Sequence, residues 1–367
     1  MFSESHYILR RILRLLLLPY CYFFLVDWKS CNLSRWQVFK DLIYIFFKLK
    51  YYPDNYGPCR LWEKDRKEWK YYYGSTYNSY ARRQLRVEVQ PYEYIMLFDD
   101  KYICEQLCKS IDVRLPESYG IIDGDDDYRF DLRKIFDNAD VQKVIIKPIR
   151  GHAGRDIYIV KRKGSKLLVQ SDACEYDLQK FFLKGQFIVQ AVIEQDKAIS
   201  DISSSSINTI RVVTMLSKSG DVIVVSSSMR FGIGASYVDN WSAGGIAVGI
   251  DHQTGTLGKI AYDKHGKEYS HHPVSGIELA GYSIPKWELV LESAKTVQNA
   301  FPYYKLLGMD IALSDDGPVL IEVNANSDIV FQEQTSGPLL KNRRVAEAFD
   351  EYNLLVNSLQ RDVLKNR

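Results

Sequence analysis

The side chains best suited to chemistry lie near the end of the chain, in the stretch GMDIALSDDGPVLIEVNANSD (308–328). Its apolar runs predict two strands joined by a turn at SDDGP, with Asp310 on the first strand and Glu322 and Asn324 on the second. Side chains alternate along a strand, so Glu322 and Asn324 face one side and can converge with Asp310. Oxygen ligands with positions left for phosphate suit Mg²⁺. The pattern predicts a magnesium site; the residues alone leave open a solvated polar face on an ordinary hairpin.

A second stretch, VQKVIIKPIRGHAGRDIYIV (141–160), has the composition of a phosphate-binding loop. It predicts two strands, Lys143 to Ile149 and Ile157 to Val160, joined by a loop that contains Gly151 and Gly154. Glycines let backbone N–H groups approach a phosphate, and Lys147 can supply the matching positive charge. A plain hairpin with glycines in its turn is the alternative, and the loop is not a Walker A motif.

Two arginines lie between these stretches. Arg211 follows Asn208 in SSSSINTIRVVTML, and Arg230 lies in the next apolar run, VIVVSSSMRFG. Both runs predict strands rich in β-branched residues. From the residues alone, Arg211 could be a structural arginine that pairs with a surface acidic residue.

The elements that must position these residues alternate between short strands and helices after Pro91, which indicates an α/β or α+β catalytic body. The chain has 367 residues, 46% of them hydrophobic and 26% charged, which is typical of a large globular protein. A net charge of only +2 argues against a nucleic-acid partner. Six cysteines without a CxxC pair predict reduced thiols in a cytoplasmic protein.

The first 50 residues hold eight Lys or Arg against three Asp or Glu, so positive charge is concentrated there. The uninterrupted apolar run from Leu15 to Val26 is twelve residues long and contains Pro19, whereas a membrane-spanning helix needs about 20. Residues 8–50 therefore predict either a helix buried against the body or a basic amphipathic element on the inner face of an anionic membrane. Both alternatives stay open.

The motifs, in this order, resemble the ATP-grasp superfamily. They are Asp100-Lys101 at a helix start, Lys147 before a glycine-rich turn, NTIR, a Gly244-Gly245 pair before an apolar run, GMDIAL and IEVNAN. The combination is similar to a bacterial subfamily that is associated with sugar transfer and related to glutamate-ligase-like proteins. The resemblance covers residues 51–349.

The resemblance implies an α+β ATP-grasp fold in which two α+β lobes clamp ATP, preceded by a helical, aromatic-rich N-terminal region. The expected division is a basic apolar helical segment at 1–50, an aromatic-rich region at 51–98, a first lobe with the nucleotide and phosphate loop at 99–195, and a second lobe with the metal and catalytic residues and a C-terminal helix at 196–367.

The resemblance also implies roles for residues, with ATP and Mg²⁺ as cofactors. Phosphates are expected at Lys101 and Lys147, and Mg²⁺ at Asp310, Glu322 and Asn324. Arg211 is expected at the transferring phosphoryl group, with Arg230 and Asn208 beside it. The remaining nucleotide contacts are expected from the loop and from the hinge that follows it: Gly151, His152, Ala153, Gly154, Gln190, Ala191, Val192 and Glu194.

The activity that the resemblance implies is ATP- and Mg²⁺-dependent ligation of a carboxylate to an amine through an acyl phosphate. A sugar-linked carboxylate, such as a uronic acid of a surface polysaccharide, and an amine or amino acid are the expected substrates. The alternatives are a kinase that phosphorylates a hydroxyl and a non-catalytic ATP-binding partner of a glycosyltransferase.

Overall fold

The computed structural model describes residues 6–75, 84–151, 154–171, 174–234 and 244–365. None of the helices in these ranges combines the length and the apolarity that crossing a membrane requires. The α-helices are α1 (Tyr7–Leu16), α2 (Leu18–Tyr20), α3 (Arg35–Tyr44), α4 (Met96–Asp99), α5 (Lys101–Cys108), α6 (Tyr128–Phe136), α7 (Lys197–Ile202), α8 (Trp287–Ala300), α9 (Ile329–Ser336), α10 (Arg343–Glu351) and α11 (Ser358–Lys365).

The first sheet is antiparallel and has the strand order β1-β6-β2-β3-β4-β5. Its strands are β1 (Ser118–Asp123), β2 (Lys143–Pro148), β3 (Tyr158–Lys163), β4 (Lys166–Ser171), β5 (Cys174–Asp177) and β6 (Gln186–Ala191). Val144 and Ile146 of β2 are buried against Leu132 of α6. Because side chains alternate, Ile145 and Lys147 point to the opposite face. That face carries the predicted phosphate lysine.

The second sheet is also antiparallel, in the order β11-β10-β9-β8-β7-β12-β13. Its strands are β7 (Thr209–Leu216), β8 (Val222–Phe231), β9 (Ile246–Ile250), β10 (Leu257–Tyr262), β11 (Glu268–Tyr269), β12 (Leu306–Ser314) and β13 (Gly317–Asn324). Helix α8 covers one face, where Val290 packs with Val212 and Met309 in a buried cluster. On the other face, Val213 shares a second cluster with Phe349 of α10. Each face is thus anchored by apolar packing.

The two sheets with their covering helices confirm the expected α+β fold. The hairpin predicted around SDDGP is β12 and β13, and the hairpin around Lys147 is β2 and β3. The predicted start of a helix at Lys101 is also observed, because the Asp100 side chain accepts a hydrogen bond from the backbone N–H of Ile103 and caps α5.

The N-terminal region has a hydrophobic core of its own, to which residues on both sides of position 50 contribute, including Val38, Leu42, Tyr56 and Trp69. It is joined to the second sheet through α9. The carboxylate of Glu333 accepts hydrogen bonds from the backbone N–H groups of Tyr73 (2.6 Å) and Gly74 (3.0 Å). Burial raises the pKa of Glu333 to about 8.

Candidate nucleotide and metal site

A buried carboxylate held by two arginines forms the centre of the site. Arg211 Nη2 donates to Asp310 Oδ2 over 2.9 Å, its Nε donates to Oδ1, and Arg230 Nη2 lies 2.9 Å from the same Oδ2. Burial alone would raise the pKa of Asp310, but the two guanidinium charges outweigh it and hold that pKa well below its usual range. Asp310 is therefore ionised at neutral pH.

The register of the strands brings the three predicted metal ligands together. Asp310 lies opposite Arg211 of β7 on one side and opposite Glu322 of β13 on the other. Residues directly opposite one another point to the same face of a sheet. Asn324, two residues beyond Glu322, donates its amide N–H to Asp310 Oδ2 over 3.4 Å. These four side chains, with Arg230 beside them, thus share one polar patch on the second sheet.

A glycine makes room for this patch. A Cβ at Gly308 would lie 1.9 Å from Ser327 Oγ and 3.5 Å from Cδ of Arg211. The Ser327 hydroxyl is buried without a hydrogen-bond partner among the described residues. Gly308 and Ser327 belong to the motifs GMD and NANSD, but their close approach joins β12 to the segment after β13 and could not be seen in either motif alone.

Two lysines face this patch from the other sheet and from the start of α5. Lys101 Nζ donates to the carbonyl oxygen of Gly151 over 2.9 Å and lies 3.4 Å from Glu322 Oε1. Lys147 Nζ donates to Gln190 Oε1 over 3.2 Å. The predicted phosphate lysines and the carboxylate of Glu322 therefore approach one another between the two sheets.

Burial controls the charge of Lys147. It lowers the pKa of Lys147 to about 8, and the nearby charge of Lys101 adds to this effect, while Glu322 and Glu105 oppose it. A bound phosphate would supply the negative charge that a buried ammonium lacks. A nearby anion would therefore stabilise the charged form of Lys147.

Glu105 is a residue of this site that the sequence analysis missed. Its buried carboxylate accepts a hydrogen bond from Gln190 Nε2 over 2.7 Å, and Gln190 in turn accepts from Lys147. The available signal was its position four residues after Lys101 on a helix, which places both side chains on one face. The contact with β6 depends on tertiary packing.

The glycine loop between β2 and β3 supports the lysines through its backbone. Gly151 supplies the carbonyl group that binds Lys101. Gly154 has φ = +69°, a left-handed conformation that favours glycine. His152 and Ala153, the other two predicted loop contacts, lie outside the described residues.

A cleft of about 350 Å³ lies against the first sheet, a size at the lower end of small-ligand pockets. Ile145 and Ile159 of the first sheet line it together with Val192 and Glu194. Ile145 lies on the same face of β2 as Lys147. Of the nucleotide contacts predicted from the hinge, Val192 and Glu194 line the cleft, whereas the Gln190 side chain turns towards Lys147.

The predicted hinge residue Ala191 ends β6. Its backbone N–H already donates to the carbonyl oxygen of Glu117 over 2.8 Å. Main-chain recognition of a base would therefore fall to the residues after Ala191.

The structure does not bring Asn208 into the polar patch. Its Nδ2 donates to the carbonyl oxygen of Ser203 (2.6 Å), and its Oδ1 accepts from the backbone N–H of Gly232 (3.2 Å). These bonds fix the start of β7 beside the end of β8. Arg230 is in the patch, and its Nε also donates to Thr209 Oγ1 over 3.0 Å.

The residues present fit a hard divalent cation. Carboxylate and amide oxygens are the ligands that Mg²⁺ prefers, together with phosphate and water. The Glu322 side chain is 30% exposed, and half a turn of the Asn324 amide would present its oxygen in place of its nitrogen. The described ranges contain no group of three or more His, Cys, Asp or Glu that could hold a metal alone, so a cation here would depend on Asn324 and on a ligand.

Comparison with known proteins gives one family. The family described as "Sugar-transfer associated ATP-grasp" matches residues 80–350, which is 271 of 367 residues. A search of the curated proteins found no match.

Solved structures resemble the chain at low identity. D-alanyl-alanine synthetase A from Vibrio cholerae has a TM-score of 0.41 and 12% identity over 74% of this chain and 66% of its own. The D-alanine-D-alanine ligase from Coxiella burnetii has a TM-score of 0.37 and 8% identity over 70% and 58%. The N5-carboxyaminoimidazole ribonucleotide synthetase from Thermotoga maritima has a TM-score of 0.34 and 13% identity over 62% and 42%. The chain thus spans about half the length of the last two proteins.

The ion pair of Asp310 with Arg211 and Arg230 predicts that Asp310→Asn strongly lowers stability. The substitution leaves two guanidinium groups in a buried site with no carboxylate, and breaking a buried ion pair on one side costs about 3–5 kcal/mol. We expect the free energy of unfolding, measured by urea denaturation, to fall by about that amount.

Asp316→Asn is the matched control, because the Asp316 side chain is 81% exposed and pairs with exposed Arg114 over 3.2 Å. An exposed pair contributes about 0–1 kcal/mol. Equal losses of stability in the two variants would show that the buried ion pair of Asp310 does not stabilise the protein.

Proposed function

The chain belongs to the family of sugar-transfer associated ATP-grasp proteins, and from this we propose that it is an ATP- and Mg²⁺-dependent ligase that joins a carboxylate to an amine. The observation that carries the proposal is the polar patch of Arg211, Asp310, Glu322 and Asn324 facing Lys101 and Lys147 across the gap between two sheets. An array of cations opposite oxygen ligands suits a polyphosphate with its metal ion.

The first step is phosphoryl transfer. A carboxylate oxygen of the substrate attacks the γ-phosphorus of ATP, the bond to the β,γ-bridging oxygen breaks, and ADP leaves with that electron pair. Lys101 and Lys147 would hold the phosphates, and Arg211 would meet the charge that develops on the transferred group. Arg230 is close enough to share this role, since it reaches the same carboxylate as Arg211.

The second step is acyl transfer. The amine nitrogen attacks the acyl carbon, phosphate leaves, and the nitrogen loses a proton to solvent, which gives an amide. This route requires no covalent protein nucleophile. The protein contributes position and charge, which are the main sources of catalysis in phosphoryl transfer.

Asp310, Glu322 and Asn324 would hold the Mg²⁺ ion. When bound, Mg²⁺ neutralises charge on the β- and γ-phosphate oxygens. Asp310 would then exchange part of its arginine contacts for the cation, while the negative phosphates attract the released guanidinium groups. The ion pair thus keeps Asp310 and both guanidinium groups charged and in place.

For the substrates, we propose a uronic acid or other sugar-linked carboxylate of surface polysaccharide biosynthesis, and an amine or amino acid as acceptor. The family's association with sugar transfer supports this substrate class. We propose that the reaction takes place in the cytoplasm at the inner face of the membrane, where a membrane-bound sugar precursor would be within reach.

The proposal predicts that phosphate release from ATP requires both a carboxylate and an amine. With Mg²⁺, ATP, uronic acids and a set of amino acids, we expect free phosphate and an amide detectable by mass spectrometry. Glu322→Gln should lower the rate on the order of 100-fold, because it removes one charged ligand from the phosphate region. Glu347→Gln, at an exposed pair with Arg343 on α10, is the control and should keep full activity.

Two results would contradict this assignment. Phosphate found on a hydroxyl of the acceptor, with no need for an amine, would indicate a kinase. Unchanged turnover in Glu322→Gln would remove Glu322 from the site.

The pKa of Lys147 predicts how ATP binding depends on pH. Because that pKa is about 8, Lys147 loses its charge as the pH rises through 8. Above that pH, Lys147 must take up a proton when ATP binds. The affinity for ATP, measured by calorimetry, should fall about tenfold from pH 7 to pH 9. Lys147→Met should bind ATP weakly at both pH values.

The matched control is Lys197→Met, because the Lys197 side chain is 81% exposed and pairs with Asp201 on α7. This variant should keep the pH dependence of the parent chain. The same tenfold loss in Lys147→Met would show that another group titrates.

A further inference from the structure

Helix α1 turns its arginines towards the protein and its apolar side chains towards solvent. Arg11 Nη2 donates to the carbonyl oxygen of Phe46 over 2.5 Å, and its guanidinium lies 4.3 Å from the centre of the Phe46 ring. On the other side of the helix, Ile8, Ile12 and Leu16 are 61%, 51% and 69% exposed. An amphipathic helix on a globular protein normally buries its apolar stripe, so the orientation of α1 is inverted.

The apolar surface continues beyond the end of α1. Leu18 and Cys21 are buried in the N-terminal core, while Tyr20, Phe23 and Phe24 point outwards, with Phe24 76% exposed. We call this surface the outer face. Its members are Ile8, Leu9, Ile12, Leu13, Leu15, Leu16, Leu17, Tyr20, Phe23 and Phe24.

Single exposed hydrophobic residues are normal, but a contiguous apolar patch marks an interaction site. Ten of the 23 exposed large hydrophobic residues in the described ranges belong to the outer face, which occupies residues 8–24. This concentration of exposed hydrophobic residues indicates that the outer face binds another apolar surface.

The exposed charges in the segment that contains the outer face are mostly positive. In the described part of the first 50 residues, the exposed charged side chains are the positive Lys29, Arg35, Lys40 and Lys48 and the negative Asp27. Asp41 is buried. The exposed charges therefore sum to +3 (four positive, one negative), which complements an anionic surface.

Aromatic residues accompany these charges. Exposed Trp36 stacks on Phe39 with ring centres 5.4 Å apart, and Lys40 Nζ lies 5.3 Å from the Trp36 ring. Tryptophan, tyrosine and lysine beside an apolar surface are the composition of protein segments that lie in the membrane–water interface.

We propose that the outer face lies in the plane of an anionic membrane. Its isoleucine, leucine and phenylalanine side chains lie in the region between headgroups and acyl chains. Lys29, Lys40 and Lys48 of the same segment lie at lipid phosphates. Arg11 acts as a positioning residue, because its bond and ring contact to Phe46 keep the apolar side of α1 outwards. Dimerisation through the outer face would bring the positive charges of two copies together, and like charges repel one another.

This inference deepens the proposed function by naming the surface that holds the enzyme near its substrate. The outer face lies outside residues 80–350, the part that matches the family. Its test is therefore separate from the test of the ligase reaction.

The experiment is flotation of the full chain with vesicles of phosphatidylcholine alone and of phosphatidylcholine with phosphatidylglycerol. We expect binding to the anionic vesicles that weakens as salt is raised. The double variant Leu16→Glu, Phe24→Glu should bind at least about tenfold more weakly, because it places two charges in the apolar layer. Both sites are exposed, so circular dichroism and ATP binding should match the parent chain.

The matched control is the double variant Phe182→Glu, Val274→Glu, whose sites are 84% and 71% exposed and lie far along the chain from the outer face. It should bind vesicles like the parent chain. Three results would overturn the proposal: no vesicle binding by the parent chain, equal binding by both double variants, or self-association without vesicle binding that only the outer-face variant abolishes. Vesicle binding without carboxylate- and amine-dependent phosphate release would leave the membrane surface standing and sink the ligase assignment.

Discussion

The shared ion pair among Asp310, Arg211 and Arg230 is the interaction on which the site depends. Its two guanidinium groups and one carboxylate carry an excess of one positive charge in a buried position on β7, β8 and β12. Buried charges are tolerated only when they are paired and held by hydrogen bonds. The apolar packing of α8 on the reverse face supports the three strands that carry this ion pair.

The opposite wall of the site follows a different principle. Lys147 is buried with an amide rather than a carboxylate as its hydrogen-bond partner, so its charge is incompletely compensated. Lys101 connects the walls, since it contacts the loop after β2 and the carboxylate of Glu322 on β13. An anion between the sheets would therefore compensate the charge of Lys147.

Sequence patterns predicted those parts of the site that depend on local periodicity. Alternation along two strands was enough to place Glu322 and Asn324 beside Asp310, and glycines marked the loop after Lys147. The partners that arrive from elsewhere in the chain were not predictable, as the bond from Gln190 to Glu105 illustrates. For α1, the pattern indicated an amphipathic helix but not which side faces solvent, because that choice is decided by Phe46 and Tyr52 in later segments.

The register that pairs Arg211 with Asp310 joins residues 99 positions apart, and the bond from Tyr73 to Glu333 spans 260. Contacts of such long range form only when the entropy cost of closing the intervening chain is overcome. During synthesis, Arg211 and Arg230 emerge well before their carboxylate partner, and β7 and β8 can pair while β12 is still missing. A chain interrupted before residue 310 would therefore contain both arginines and lack the carboxylate that pairs with them.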